Sequence, residues 1–406
     1  MICVLFAICG LALYAQQASP GVPPDQDGCI GTSDGLSGRP GVLPAKNRVC
    51  KPVLPGMQAP QPSNDHDGGT FITFDVPGVV TGPYRGTSPS GINWVGTVTG
   101  SYPDANGTHG FVRTWNGNIT SFDVPGASGT YPVAINPWGT ITGGYCDNSG
   151  CPGFVRTPDG RITTFDVPGD VYGLLVSAIN PEGAVTGVYL DANFIGYGFV
   201  RYLNGTIITF DVPGSGCDYG LNYAAAINPR GEIAGNYVAD ADCGLHGFLR
   251  DAHGNVTTFD PPGGDTGDTG GTLAPGPSAG INPEGAIASS YYQNMPGTPR
   301  FRGFLRKPNG TFETFDASTA GPCCTWTFAI ALNEDGVITG YDNDGYSIFH
   351  GFVRSRRGDI TLFDAPGSGT GVNQGTIPTA INAEQVVTGY YRDSQLGLHG
   401  FLRIPR

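Results

Sequence analysis

The chain has 406 residues, of which 66 Gly and 34 Pro make up about a quarter. That fraction marks disordered, low-complexity chains unless the glycines recur with a period, and here they do. With 21 basic against 34 acidic side chains, a net charge of −13 and only three lysines (Lys46, Lys51, Lys307), the chain repels phosphate backbones and anionic lipid, which argues against nucleic acid as a partner.

From the amino terminus, Ile2 to Ala15 is an apolar stretch, shorter than the ~20 residues needed to span a bilayer and of the length of a signal-peptide core. The expectation is an export signal over residues 1–18, although no basic residue precedes Arg39. No later run approaches spanning length, so no membrane span is expected and the mature chain is expected to be secreted. Cysteine usage agrees. Setting aside Cys3 and Cys9 of the signal leaves eight, an even number with no C-x-x-C pair for a zinc site. Local disulfides Cys29–Cys50, Cys146–Cys151 and Cys217–Cys243 are expected, and the state of the adjacent Cys323 and Cys324 stays open. Residues 19–69 are rich in Pro, Gly, Ser and Asp without apolar periodicity, and read as a linker clipped by Cys29–Cys50.

From residue 70 onward the chain is one repeat. Phe-Asp occurs at Phe74-Asp75, Phe122-Asp123, Phe165-Asp166, Phe210-Asp211, Phe259-Asp260, Phe315-Asp316 and Phe363-Asp364, at steps of 43 to 56 residues. Gly-Phe-x-Arg begins at Gly110, Gly153, Gly198, Gly247, Gly303, Gly351 and Gly400. The pair Ile-Asn (once Leu-Asn) ends at Asn93, Asn136, Asn180, Asn228, Asn282, Asn333 and Asn382. Landmarks recurring in constant order at a fixed period decide the fold.

Each repeat reads as four short strands. In one unit these are Pro132 to Asn136, Thr140 to Tyr145, Phe154 to Thr157 and Arg161 to Asp166, separated by the turns Asn136-Pro137-Trp138-Gly139 and Pro158-Asp159-Gly160. Four-strand units of this length suit propeller blades, so the expected fold is an all-β, seven-bladed β-propeller over residues 70–406. Ile-Asn lies on the innermost strand and Phe-Asp on the outermost. The first element, residues 70–75, is then a lone outer strand and the last repeat lacks one, so pairing the two ends completes the C-terminal blade and removes a raw sheet edge. A linear β-solenoid is the alternative.

The repeated His-Gly-Phe, with a preceding Gly-x-Tyr and a following Phe-Asp-x-Pro-Gly, resembles the HAF repeats of predicted bacterial extracellular proteins, over roughly Thr70 to Arg406. Here the middle residue of the tripeptide is Gly, and the His is kept at His109, His246, His350 and His399 while Pro152, Tyr197 and Arg302 replace it elsewhere. The resemblance implies an exported bacterial repeat protein and supplies no catalytic residue.

In a four-strand meander the crossover loops and the loops between the second and third strands share one face. That face carries every cysteine of the repeat region and is where binding sites usually occur. Tyr219, Tyr223, Tyr292 and Trp326 are candidate stacking surfaces there for sugar or peptide. Acidic loops containing Asp104 and Asn106, or Asp342 and Asp344, resemble the start of a calcium loop but lack the distal Glu; calcium is the one cofactor these loops suggest. The recurring His is expected between strands, and the recurring Asp in the turn before Pro-Gly, accepting backbone hydrogen bonds. No G-x-S-x-G, H-E-x-x-H or phosphate-binding loop is present. The reading is a monomeric binding or scaffolding module for an extracellular glycan or protein. The alternative is a propeller-type hydrolase or lyase on extracellular polysaccharide, and its paired-carboxylate form requires two acids within about 10 Å of each other at the channel mouth.

Overall fold

The computed structural model describes residues 29–31, 48–50, 69–216, 222–264, 279–293, 300–318, 326–344 and 347–406. The expected leader and most of the linker therefore lie outside the described residues. Every regular element among the described residues is a strand. β1 (Cys29–Gly31) and β2 (Arg48–Cys50) form an antiparallel ladder whose register sets Cys29 opposite Cys50; their side chains are outside the described residues.

β3 (Thr70–Phe74) stands apart in sequence from the first complete unit. That unit is β4 (Ser88–Ile92), β5 (Val98–Pro103), β6 (Thr108–Arg113) and β7 (Ile119–Phe122), paired in that order as an antiparallel meander. β-branched and aromatic residues recur in β5, β6 and β7, and turns ending in Gly96, Gly107 and Gly117 separate the strands. At the turn after β4, Gly96 N–H donates to Asn93 O at 2.9 Å with φ at +80°, a conformation natural to glycine, and a Cβ there would stand 2.2 Å from the Trp115 ring. Sheets with the same four-strand order follow at residues 129–165, 174–210, 222–259, 279–315 and 326–363. The last three strands, Gly375–Ile381, Val387–Arg392 and Leu398–Ile404, take β3 as their fourth, with Thr70 opposite Ile404 and Phe74 opposite Gly400. Phe74 and Ile72 pack with Ile92, Phe111, Ala380 and Leu402 in one apolar cluster that draws on both chain ends.

The landmarks explain how units adhere. The phenylalanines of Gly-Phe-x-Arg (Phe111, Phe154, Phe199, Phe248, Phe304, Phe352 and Phe401) are all 0% exposed. Each meets the Phe-Asp ring of the preceding unit, for example Phe122–Phe154 at 6.1 Å, Phe210–Phe248 at 6.2 Å and Phe363–Phe401 at 6.2 Å, with steeply inclined planes. The arginine two residues on lies over that same preceding ring: Arg113 over Phe74 and Arg250 over Phe210 at 4.8 Å, Arg201 over Phe165 at 5.1 Å. The glycine of the motif is required because a Cβ on Gly247 would approach the Phe259 ring to 2.4 Å.

The Ile-Asn residues form a relay along the inner strands. Each Asn accepts, through Oδ1, the N–H four residues ahead in its own turn. Several also reach the next unit through Nδ2: Asn180 donates to Asn228 O, Asn228 to Asn282 O and Asn333 to Asn382 O, each at 3.1 Å. Asn382 in turn donates to Asn93 O at 3.1 Å, joining the last unit to the first across 289 residues.

Candidate functional site

The loop between β3 and β4 builds one wall of a cavity. Its backbone is pinned to the last unit: Tyr84 N–H donates to Leu396 O at 2.8 Å, Thr87 N–H to Leu398 O at 3.0 Å, and Leu398 N–H returns to Arg85 O at 3.1 Å. Gly86 is obligatory there, since a Cβ would fall 1.9 Å from Leu398 O. Tyr84 takes φ of +60°, unusual for a tyrosine, and is 53% exposed; such backbone strain clusters where a side chain has to be held in place. The Arg392 guanidinium spans Tyr84, Phe349 and Tyr390, at 5.3, 5.2 and 5.9 Å from their rings.

The cavity holds about 810 Å³ and is lined by the crossover loop around Tyr84, Arg85 and Gly86 and by the loop between β5 and β6. Tyr84, Arg85, Tyr390 and Arg392 line one side. Tyr131, Tyr145 and the Leu174–Val176 segment line another, and Asp104 and Asn106 sit at the rim. The disulfide Cys146–Cys151, expected from sequence, is formed and lies in the wall. Cys243 is also disulfide-bonded; Cys217, Cys323 and Cys324 are outside the described residues.

Asp104 serves its own turn. Its Oδ1 accepts Asn106 N–H at 2.6 Å and Gly107 N–H at 3.1 Å, and His109 Nε2 lies 2.9 Å away. The Asn106 amide foremost, then His109, lower its pKa to about 2, which keeps it a carboxylate at neutral pH. Asn106 presents N–H groups to Asp104 rather than oxygen to an ion. Asp342 is buried within a strand, not exposed in a loop; Thr327 Oγ1 stands 3.2 Å from it, and its Oδ2 has no hydrogen-bond partner. Asp344 follows the strand. Among the described residues no group of three or more His, Cys, Asp or Glu is assembled.

The recurring His and Asp partner each other across strands. His109, His246, His350 and His399 place Nδ1 at 2.8 to 3.1 Å from Asp123, Asp260, Asp364 and Asp75. The inter-strand place expected for the histidines is thus observed, while the expectation that the aspartates serve mainly the backbone needs correcting. Where Arg302 replaces the His, it makes a two-pronged bond to Asp316 at 2.9 and 3.0 Å. Asp211 accepts from Ser215 and Asn222 instead, while Asp166 accepts a backbone bond from Val167 N–H at 2.8 Å.

Of the candidate stacking residues, Tyr219 lies outside the described residues. Tyr223 is only 5% exposed, packed in an inner strand with Val188 and Ala225, so the exposure expected of it is not found. Tyr292 meets Phe301 at 5.3 Å, and Trp326, 38% exposed, meets the same ring at 5.6 Å. They belong to a band the sequence did not reveal: Phe301, Phe328, Tyr341 and Phe349 follow one another at 5.1, 4.9 and 5.6 Å, ending against Arg392. The cavity residues Tyr84, Arg85, Tyr131 and Arg392 were also missed, since they occupy positions where no landmark recurs.

No protein-family model matches the chain, and no curated protein matches it. Among solved structures it is similar to virginiamycin B lyase from Staphylococcus aureus, as a catalytically inactive variant with quinupristin, at 13% identity over 83% of this chain and 99% of that one, with a TM-score of 0.51. It is also similar to oligogalacturonate lyase from Vibrio parahaemolyticus, at 11% identity over 83% and 97% of the two chains, with a TM-score of 0.52. A prolyl endopeptidase matches at 11% identity over 78% of this chain and 47% of that one, with a TM-score of 0.50. At such identity the likeness concerns the fold: an all-β, propeller-like arrangement of four-stranded sheets.

Proposed function

We propose that this chain is an exported, disulfide-supported, seven-bladed β-propeller, closed by the pairing of residues 70–74 with 398–404, that serves as a monomeric binding module for an extracellular glycan or protein. The similarity of its repeats to HAF repeats, the cysteine pattern and the apolar amino terminus support export, and the Asn382–Asn93 bond supports closure. The observation that carries the binding reading is the tyrosine-lined cavity on the crosslinked face. No helix among the described residues is long and apolar enough to cross a membrane.

A lyase or hydrolase is the second reading, favoured by the names of the fold neighbours, two of which are lyases. Against it, Asp104 is the one acid among the lining residues, no histidine lines the cavity, and paired-carboxylate hydrolysis needs a second acid close by. The deciding experiment incubates the purified protein with a panel of bacterial and plant polysaccharides. Co-sedimentation and the release of reducing or unsaturated ends are read from the same tubes. Binding without product is the expected result; product formation would overturn the module in favour of the enzyme.

A further inference from the structure

In a chain of net charge −13, the unneutralised charge of the cavity is positive. Its lining sets two arginines, Arg85 and Arg392, against one acid, Asp104, which lies 2.9 Å from a histidine, His109, shared with Asp123. Arg85, exposed on the loop after Tyr84, makes no ion pair among the described residues. Arg392 makes none either: one of its Nη atoms donates to Asn373 O at 3.1 Å and its buried Nε has no partner. Arg392 is also peculiar to its unit, since the corresponding place holds Pro103, Cys146, Leu190, Val238, Tyr292 or Asn343 in the other six. It is not one of the arginines that clamp neighbouring units through Gly-Phe-x-Arg. The guanidinium fork is suited to a carboxylate, and the neighbouring tyrosines offer flat faces with hydroxyls at their edges, the chemistry that receives a sugar ring.

Resting on the binding reading above, we infer that the cavity takes a carboxylate-bearing glycan, a uronate oligosaccharide, with Arg85 and Arg392 receiving the carboxylates and Tyr84 and Tyr390 receiving the ring faces. Tyr131, Tyr145, Ser88 and Ser101 supply hydroxyls for the remaining sugar contacts. Recognition has to be local, because the acidic surface repels a polyanion at longer range.

The test is titration calorimetry with polygalacturonate oligosaccharides and with the same oligosaccharides fully methyl-esterified, so that only the charge differs. The expected result is binding of the acidic form at least about tenfold tighter than the ester. Arg392→Gln and Arg85→Gln are each expected to lower affinity for the acidic form about tenfold, and so to narrow the gap between acid and ester. Because Arg392 also packs on Phe349, Arg392→Lys and the surface variant Arg85→Gln separate loss of charge from loss of fold, with a thermal melt of each. Equal affinity for acid and ester, or Gln variants that bind the acid normally, would overturn the inference and leave the binding module standing. The same holds if only a neutral glycan of the panel binds. Tighter binding of poly-glutamate than of uronates would overturn it in favour of an acidic peptide. Failure of every glycan and of poly-glutamate would remove both the inference and a glycan-binding function.

Discussion

Six units carry a tyrosine after Gly-x or its equivalent (Tyr102, Tyr145, Tyr189, Tyr237, Tyr291, Tyr391), and the unit at residues 326–363 carries Asp342 there instead. Tyr102, Tyr237 and Tyr391 lie against the recurring His, at 5.4, 5.6 and 5.0 Å. Asp342 stands opposite His350 in register, and burial pushes its pKa up to about 7. His350 is raised as well, chiefly by its bond to Asp364. The signs agree. A carboxyl that holds its proton more tightly in the fold than in the unfolded chain loses stabilisation as pH rises from about 4 to about 7, and a histidine raised by a partner loses its own as pH rises past its folded value. The melting temperature should therefore fall between pH 5 and pH 8, and Asp342→Asn should flatten that slope and melt higher than the parent at pH 8. An unchanged slope in Asp342→Asn would place the pH dependence elsewhere. The substitution itself is visible in an alignment of the repeats. Its burial is not, because a charged residue beside Asn343 and Asp344 reads as a loop until the strand Ile338–Asn343 is seen.

At the level of strands, recurrence carried the reading a long way. The turn at Asn136–Gly139, the order of strands and the inner and outer positions of Ile-Asn and Phe-Asp were all legible, because glycine turns and alternation are local properties. The partners across units were not, since Arg250 and Phe210 are separated by a whole repeat and nothing local selects one ring over another. The packing makes the cost of each landmark measurable. Phe248→Ala should lose about 3–5 kcal/mol in urea unfolding, the cost of emptying a buried aromatic site. Arg250→Gln should lose about 1–2 kcal/mol through the Phe210 contact, and pairing it with Phe210→Leu should give less than the sum of the single losses. Strict additivity would mean the stack contributes nothing. The cavity wall was hidden for the opposite reason. Tyr84, Arg85 and Arg392 are departures from the repeat, and a periodic reading passes over them.

For the molecule as a whole, complementary ends were predictable from the phase of the repeat, and the strand pair Thr70–Phe74 with Leu398–Ile404 meets that expectation. Removing residues 1–75 should leave Leu398–Ile404 as an open edge, strip Arg113 of its Phe74 ring and His399 of Asp75, and shift the protein to oligomers on size-exclusion chromatography. A well-behaved monomer of that truncation would refute the role given to β3. Asn382→Ala deletes both the bond to Val386 N–H and that to Asn93 O. It should cost about 1–3 kcal/mol, the loss typical of leaving buried polar groups unmatched.

The register of the terminal strand pair has a mechanical consequence. Thr70 faces Ile404, so the two chain directions leave the pair at the same end. A pull on residues before 70 against residues after 404 loads the ladder one bond at a time, peeling it like adhesive tape, instead of sharing the force across all bonds as shear would. Such an arrangement yields at low tension. It suits a protein held by one end and free at the other, and makes it a poor link in any chain that has to carry load.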